Sequence, residues 1–125
     1  MLDKVSRILL VEDNEGDIYF FRKALETADF QFELTVMQDG AEALAFVRRE
    51  GKYLASSVPN LVVLDLNLPK DGGIQVLRAI RERETFSKVP VAIVSSSASP
   101  QDRHETGNLG VDRYITKPPN LEEFL

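Results

Sequence analysis

Glu12 and Asp13 directly follow the apolar run Ile8-Leu9-Leu10-Val11, and Asp65 closes Leu61-Val62-Val63-Leu64. Ser95 follows Val94, and Lys117 follows Thr116, each again at the end of a predicted strand. Three carboxylates drawn together repel one another unless a cation joins them, and a hard, oxygen-preferring Mg²⁺ suits such a donor set. A carboxylate oxygen left free beside that ion is a nucleophile for a phosphoryl group. The lysine ammonium and the serine hydroxyl are suited to hold the remaining phosphoryl oxygens. The chemistry these residue types point to is phosphoryl transfer.

Each residue taken singly has a plainer reading. An Asp after an apolar strand is ordinarily a turn former or helix cap, and Glu12-Asp13 could be solvated loop charge. Lys117, beside Pro118 and Pro119, could close an exposed turn, and Ser95-Ser96-Ser97 could be a polar loop. The combination at successive strand ends is what favours a site. Ser96 and Ser97 are then candidate gatekeepers of water. The only histidine, His104, falls on a helix expected to be exposed and is read as a surface residue. Phe20, Phe21, Phe30 and Phe32 are read as core or core-edge residues.

The elements that must position this set follow from hydrophobic periodicity. Ile8 to Val11 reads as a buried strand, Glu33 to Met37 as a half-buried one, and Leu61 to Asp65, apolar on both faces, as the central strand. Val89 to Val94 and Arg113 to Thr116 supply two more. Between them, Ile18, Phe21, Ala24, Leu25 and Ala28 recur at helical spacing within 16–28, and Ala41, Leu44, Ala45 and Val47 begin a second helix that fades near Gly51. A third helix spans 73–82, with Ile74, Leu77 and Ile80 inward and Arg78, Arg81 and Glu82 on the solvated side. A fourth, with a weak apolar face, spans 100–109, and Leu121 to Leu125 starts a short fifth. This alternation predicts an α/β fold, a doubly wound five-stranded parallel sheet covered on both faces. Ligand chemistry in such folds lies at the carboxyl ends of the strands.

The chain has 125 residues, enough for one domain, 1–125, with a real core. With no cysteine, it offers no thiolate metal site, disulfide or cysteine nucleophile. No apolar run approaches the roughly 18 residues of a membrane span, and no secretory leader is evident, so a cytoplasmic location is expected. A net charge of -5 disfavours direct nucleic-acid binding.

Val11-Glu12-Asp13, Leu64-Asp65-Leu66-Asn67-Leu68-Pro69, Val94-Ser95 and Tyr114-Ile115-Thr116-Lys117-Pro118, in this order and spacing, resemble the response-regulator receiver family. The Leu68-Pro69-Lys70 stretch is similar to the single-domain subgroup serving phytochrome kinases. The resemblance implies the flavodoxin-like strand order 2-1-3-4-5 and an Asp65 that accepts phosphate, with Mg²⁺, from a sensor histidine kinase or a phosphotransfer protein. It makes Asp13 a direct metal ligand, Glu12 a ligand through water, and Asn67 the donor of a backbone carbonyl. Ser95 would bond the phosphoryl group and Lys117 would pair with it across a cis Lys117-Pro118 peptide. Tyr114 would be a rotamer switch coupled to Ser95. Such a protein is a signalling receiver, catalysing only its own phosphoryl transfer and dephosphorylation. Its signal would leave through a partner or a change in self-association, including a homodimer.

The chain departs from the family pattern in three places. Glu12 replaces a more usual aspartate, and Gly72 replaces the aspartate of a common Asp-Gly pair, which is expected to loosen the loop after Asp65 without touching the site. The fifth helix looks truncated, and with it the face formed by the fourth helix, fifth strand and fifth helix. Two other classes share the alternation. A flavodoxin-type domain needs a phosphate-binding loop after the first strand, where Glu12 and Asp13 would repel phosphate. A phosphohydrolase using Asp65 needs an acid/base aspartate two residues on, and Asn67 stands there. A receiver-shaped adaptor with vestigial phosphorylation is the remaining alternative.

Overall fold

The computed structural model describes residues 5–70, 72–96 and 99–117. In chain order the elements are β1 (Ser6–Val11), α1 (Glu15–Thr27), β2 (Phe32–Met37), α2 (Gly40–Arg48), a 3-10 turn (Gly51–Tyr53), β3 (Leu61–Leu64), α3 (Gly73–Glu82), β4 (Val91–Ser95), α4 (Pro100–Asn108) and β5 (Arg113–Thr116). The strands form one parallel sheet in the order β2-β1-β3-β4-β5, with β3 in the middle as its two-sided apolar run required.

Helix starts follow local capping chemistry. The side chains of Asn14, Asp39 and Ser99 accept hydrogen bonds from the N–H groups of Asp17, Glu42 and Asp102, each satisfying a donor that a first turn otherwise leaves unpaired. Pro100 at the first turn of α4 costs nothing there because it brings no N–H. Helix α2 stops where Arg49 turns left-handed, with φ 57°.

Because side chains alternate along a strand, each strand feeds two cores. Leu9, Val11, Val62, Leu64, Val91 and Ile93 point to one face, where α2 and α3 cover them with Leu44, Val47, Val76, Leu77 and Ile80. Ile8, Leu10 and Val63 point to the other, under Ile18, Phe21 and Leu25 of α1. Each fully buried side chain of this size contributes roughly 1.5–3 kcal/mol, so the sheet is held from both sides. Continued one residue past the strand ends, the same parity sends Glu12 and Asp65 to the α1 face, and Ser95, two residues after Ile93, to the opposite face.

Several expectations need correction. Arg81 is not on the solvated side of α3: its side chain is 17% exposed, and its guanidinium donates to the carbonyls of Ser87, Val89, Leu109 and Gly110. The long stem lets the charged head curl back onto two loops that the helical wheel does not show. Phe30 is exposed at 44%, its ring tilted 48° against that of Phe32, rather than lying in the core or at its edge. In α2 the inward residues include Ala43 and Phe46, while Ala41 is exposed. Phe46 meets the rings of Tyr53 and Phe86, so the 3-10 turn after α2 lays Tyr53 against the core. Strand β4 begins at Val91, since Pro90 has no N–H to give the ladder, and Val89 packs in the preceding turn. His104 is exposed, as expected. The expected fifth helix lies outside the described residues.

Candidate functional site

The backbone delivers the acidic residues to one place. The Glu12 N–H donates to the Met37 carbonyl at 2.9 Å and the Asp65 N–H to the Val11 carbonyl at 3.0 Å, so both residues are pinned as the sheet ends. The Asn14 N–H donates to Glu12 Oε2 at 3.1 Å, and the Asn67 N–H to Asp65 Oδ1 at 3.0 Å. Glu12, Asp13 and Asp65 present carboxylate oxygens that all lie within 4.8 Å of one another, with Asp13 exposed and the other two buried.

Lys117 is carried in by β5, where its N–H donates to the Ser95 carbonyl at 2.7 Å. Its ammonium donates to Glu12 Oε1 at 2.5 Å, to Asp17 Oδ2 at 2.7 Å and to Asp65 Oδ2 at 3.0 Å. Its side chain is only 10% exposed. Burial alone would make this ammonium less basic, but the hydrogen bonds to Asp17, Glu12 and Asp65 outweigh it and raise its pKa. Glu12 moves against the attraction of its partner. Burial, reinforced by the nearby Asp65 charge, pushes its carboxyl up from 4.5 to about 7 despite the Lys117 and Asn14 hydrogen bonds. Burial thus governs Glu12, while the three surrounding carboxylates govern Lys117.

Ser95 is fully buried, and its hydroxyl is reached at 3.5 Å by the Asn67 side-chain amide, which also meets the Ser96 hydroxyl at 3.2 Å. Asn67 therefore links the Asp65 loop to the β4 end through its side chain, a link that a backbone-carbonyl role does not anticipate. Tyr114 is half-buried on β5, with the Arg103 guanidinium 4.5 Å from its ring centroid. Gly72 has room for a side chain, its nearest neighbour to an added Cβ being the Leu66 carbonyl at 3.8 Å. The neighbouring Gly73 has none. The Lys117-Pro118 peptide and Ser97 lie partly or wholly outside the described residues.

Asp17 is the residue that sequence reasoning missed. Asn14 caps α1 and Glu15 and Asp17 are its first-turn acids, yet the Asp17 side chain also turns inward to Lys117. Only the juxtaposition of β5 with α1 reveals it. Beyond the charged heads, a cavity of about 240 Å³ runs between α1 and the sheet, lined by Leu10, Phe20, Phe21, Val63 and Ile115.

The sequence matches the response regulator receiver domain over residues 8–125. The chain belongs to the response regulator receiver family. It is 38% identical over 117 residues to the response regulator Rcp1 of Synechocystis sp., covering 94% of this chain and 80% of Rcp1. Among solved structures it is similar to the phosphorylated cyanobacterial phytochrome response regulator RcpA, with TM-score 0.91 and 40% identity over 96% of this chain and 86% of that one. It is also similar to the Mn²⁺-bound form of Rcp1, with TM-score 0.90 and 37% identity, covering 94% and 85% of the two chains. The receiver domain is the phosphorylation module of two-component signalling, and the Glu12, Asp13 and Asp65 cluster is consistent with that role and with a divalent cation. No helix among the described residues is long and apolar enough to cross a membrane.

Proposed function

We propose that Asp65 is the phospho-acceptor of a phosphorelay, taking its phosphoryl group from the phosphohistidine of a sensor histidine kinase or a phosphotransfer protein. The observation that carries this reading is the Lys117 ammonium donating to the carboxylates of both Glu12 and Asp65 at the ends of adjacent strands. The Asp65 carboxylate attacks phosphorus, an O–P bond forms as the P–N bond to the histidine breaks, and the departing imidazole takes up a proton. The Lys117 ammonium follows the charge onto the phosphoryl oxygens. The Ser95 hydroxyl, approached by the Asn67 amide, offers those oxygens a further hydrogen bond.

The donor set fits a divalent cation. Three carboxylates with oxygens within 4.8 Å of one another are hard ligands in excess of the local positive charge. Asp13, Asp65, Glu12 through water and the Asn67 carbonyl would hold it. Mg²⁺ is the physiological choice, and when bound it would neutralise developing charge on the phosphoryl oxygens. Asn67 also stands where a phosphohydrolase of this chemistry carries its acid/base aspartate, so the phosphoaspartate is expected to be lost slowly by the protein's own chemistry rather than turned over.

The likeness to Rcp1 and to the phytochrome response regulator RcpA supports a phytochrome-type histidine kinase as donor. A cytoplasmic site of action, output through a partner or a homodimer, and a Tyr114 that moves with Ser95 complete the reading. Incubating the protein with acetyl phosphate and Mg²⁺ tests it by intact mass. A gain of one phosphoryl group that Asp65→Asn abolishes is expected. No gain, or one that persists in Asp65→Asn, overturns the proposal.

A further inference from the structure

Lys117 has a carboxylate partner that the phosphoryl chemistry does not use. An ammonium carries three N–H donors, and here all three are engaged, by Glu12, Asp17 and Asp65. Glu12 and Asp65 belong to the group able to hold a cation, whereas Asp17 does not. Asp17 is fixed from another direction: its N–H is bound by the Asn14 side chain at 2.9 Å in the first turn of α1. With its side chain 22% exposed, it forms the outer wall of the lysine pocket.

The resting contacts set up a competition. Lys117 holds one oxygen each of Glu12 and Asp65, residues a cation needs, so a cation loading the site competes with the ammonium for their negative charge. An ammonium only 10% exposed that loses its partners is costly, because water cannot replace them. The 2.7 Å contact to Asp17 involves no residue of the cation-binding group. Resting on the functional reading above, we infer that Asp17 is a positioning residue: it retains the Lys117 ammonium when Glu12 and Asp65 turn to the cation and phosphoryl group, and so sets divalent-cation affinity. A first-turn acid is otherwise explained by the helix dipole alone, so the test must separate the two.

Mn²⁺ binding, measured on the full chain from the electron paramagnetic resonance signal of free Mn²⁺, makes that separation. Asp17→Asn is expected to weaken affinity about three- to tenfold, with Asp17→Glu recovering most of the loss because it keeps the charge within reach of Lys117. Asp17→Ser should repeat the loss, so the result does not depend on one variant folding. In a Lys117→Ala background the Asp17→Asn change should fall below about twofold, because the residue acts through the lysine. Unchanged affinity in Asp17→Asn, or an equal loss with and without Lys117, overturns the inference and leaves the functional reading standing. Failure of the wild-type protein to bind Mn²⁺ at all overturns that reading as well.

Discussion

Gly73 packs directly on the backbone of Asp65: a Cβ at this position would lie 2.3 Å from the Asp65 carbonyl oxygen and 2.6 Å from the Leu66 Cα. Both are main-chain atoms that cannot swing aside. Gly73→Ala therefore has to push α3 away from β3, at a cost of about 1–3 kcal/mol, and to displace the Asp65 loop as it does so. Urea unfolding should show the loss, and acetyl phosphate labelling should be slowed in the same variant. Gly72→Asp, whose Cβ would meet only the Leu66 carbonyl at an ordinary 3.8 Å, should match the wild type in both assays. Equal damage from both substitutions would contradict the steric account.

Much of this arrangement was legible from the residues. Continuous apolar runs located β1 and the central strand β3, and the polar residues closing each run marked the site end. Strand parity extended past Val11 and Leu64 places Glu12 and Asp65 on one face only once the β1–β3 register is known, and two uninterrupted apolar runs do not fix that register. Asp17 and Arg81 were not legible for a different reason. Each satisfies a local rule, as helix-start acid and as solvated-face cation, while its side chain makes contacts with β5 or with loops many residues away. Local periodicity carries no information about such long-range partners. The Asn67 side chain escaped notice in the same way, because its bonds to Ser95 and Ser96 join separate strand ends.

Arg81 is expected to behave as a structural tie. It donates to the carbonyls of Ser87 and Val89 in the loop before β4, and to those of Leu109 and Gly110 before β5. Arg81→Ala strips donors from partly buried carbonyls on two loops and should cost about 2–3 kcal/mol. Lysine has a single point of charge and no planar fork, so Arg81→Lys should recover less than half of the loss. Equilibrium unfolding measures both. A variant within about 0.5 kcal/mol of wild type would show the tie to be dispensable.

The raised pKa of Glu12 makes a signed prediction about pH. Its carboxyl ionises at about 7 in the folded metal-free protein against 4.5 when exposed, so the folded state binds the proton more tightly. The stabilisation from this group is complete below pH 4.5 and is lost as pH rises through 7. The whole effect is no more than about 3 kcal/mol. Glu12→Gln, which stays neutral, should remove this component. In EDTA, the stability difference between Glu12→Gln and wild type should grow in favour of the variant from pH 5 to pH 8, as measured by urea unfolding. A difference that is flat across this range would mean that Glu12 is already ionised at its lower end.

Lys117 and the cation are expected to be alternative counter-ions for the same carboxylates. In the metal-free protein the ammonium neutralises Glu12, Asp17 and Asp65 from a nearly buried position. Lys117→Ala leaves those carboxylates facing one another and should cost about 3–5 kcal/mol in EDTA. Adding Mg²⁺ should recover more stability in the variant than it adds to wild type, because the ion no longer displaces an ammonium from Glu12 and Asp65. Acetyl phosphate labelling should nevertheless stay slow in Lys117→Ala even at saturating Mg²⁺, since no ammonium remains to follow the phosphoryl oxygens. Thermal unfolding with and without Mg²⁺, paired with labelling rates, separates the two roles. A variant that regains both stability and labelling with Mg²⁺ would reduce Lys117 to charge balance alone.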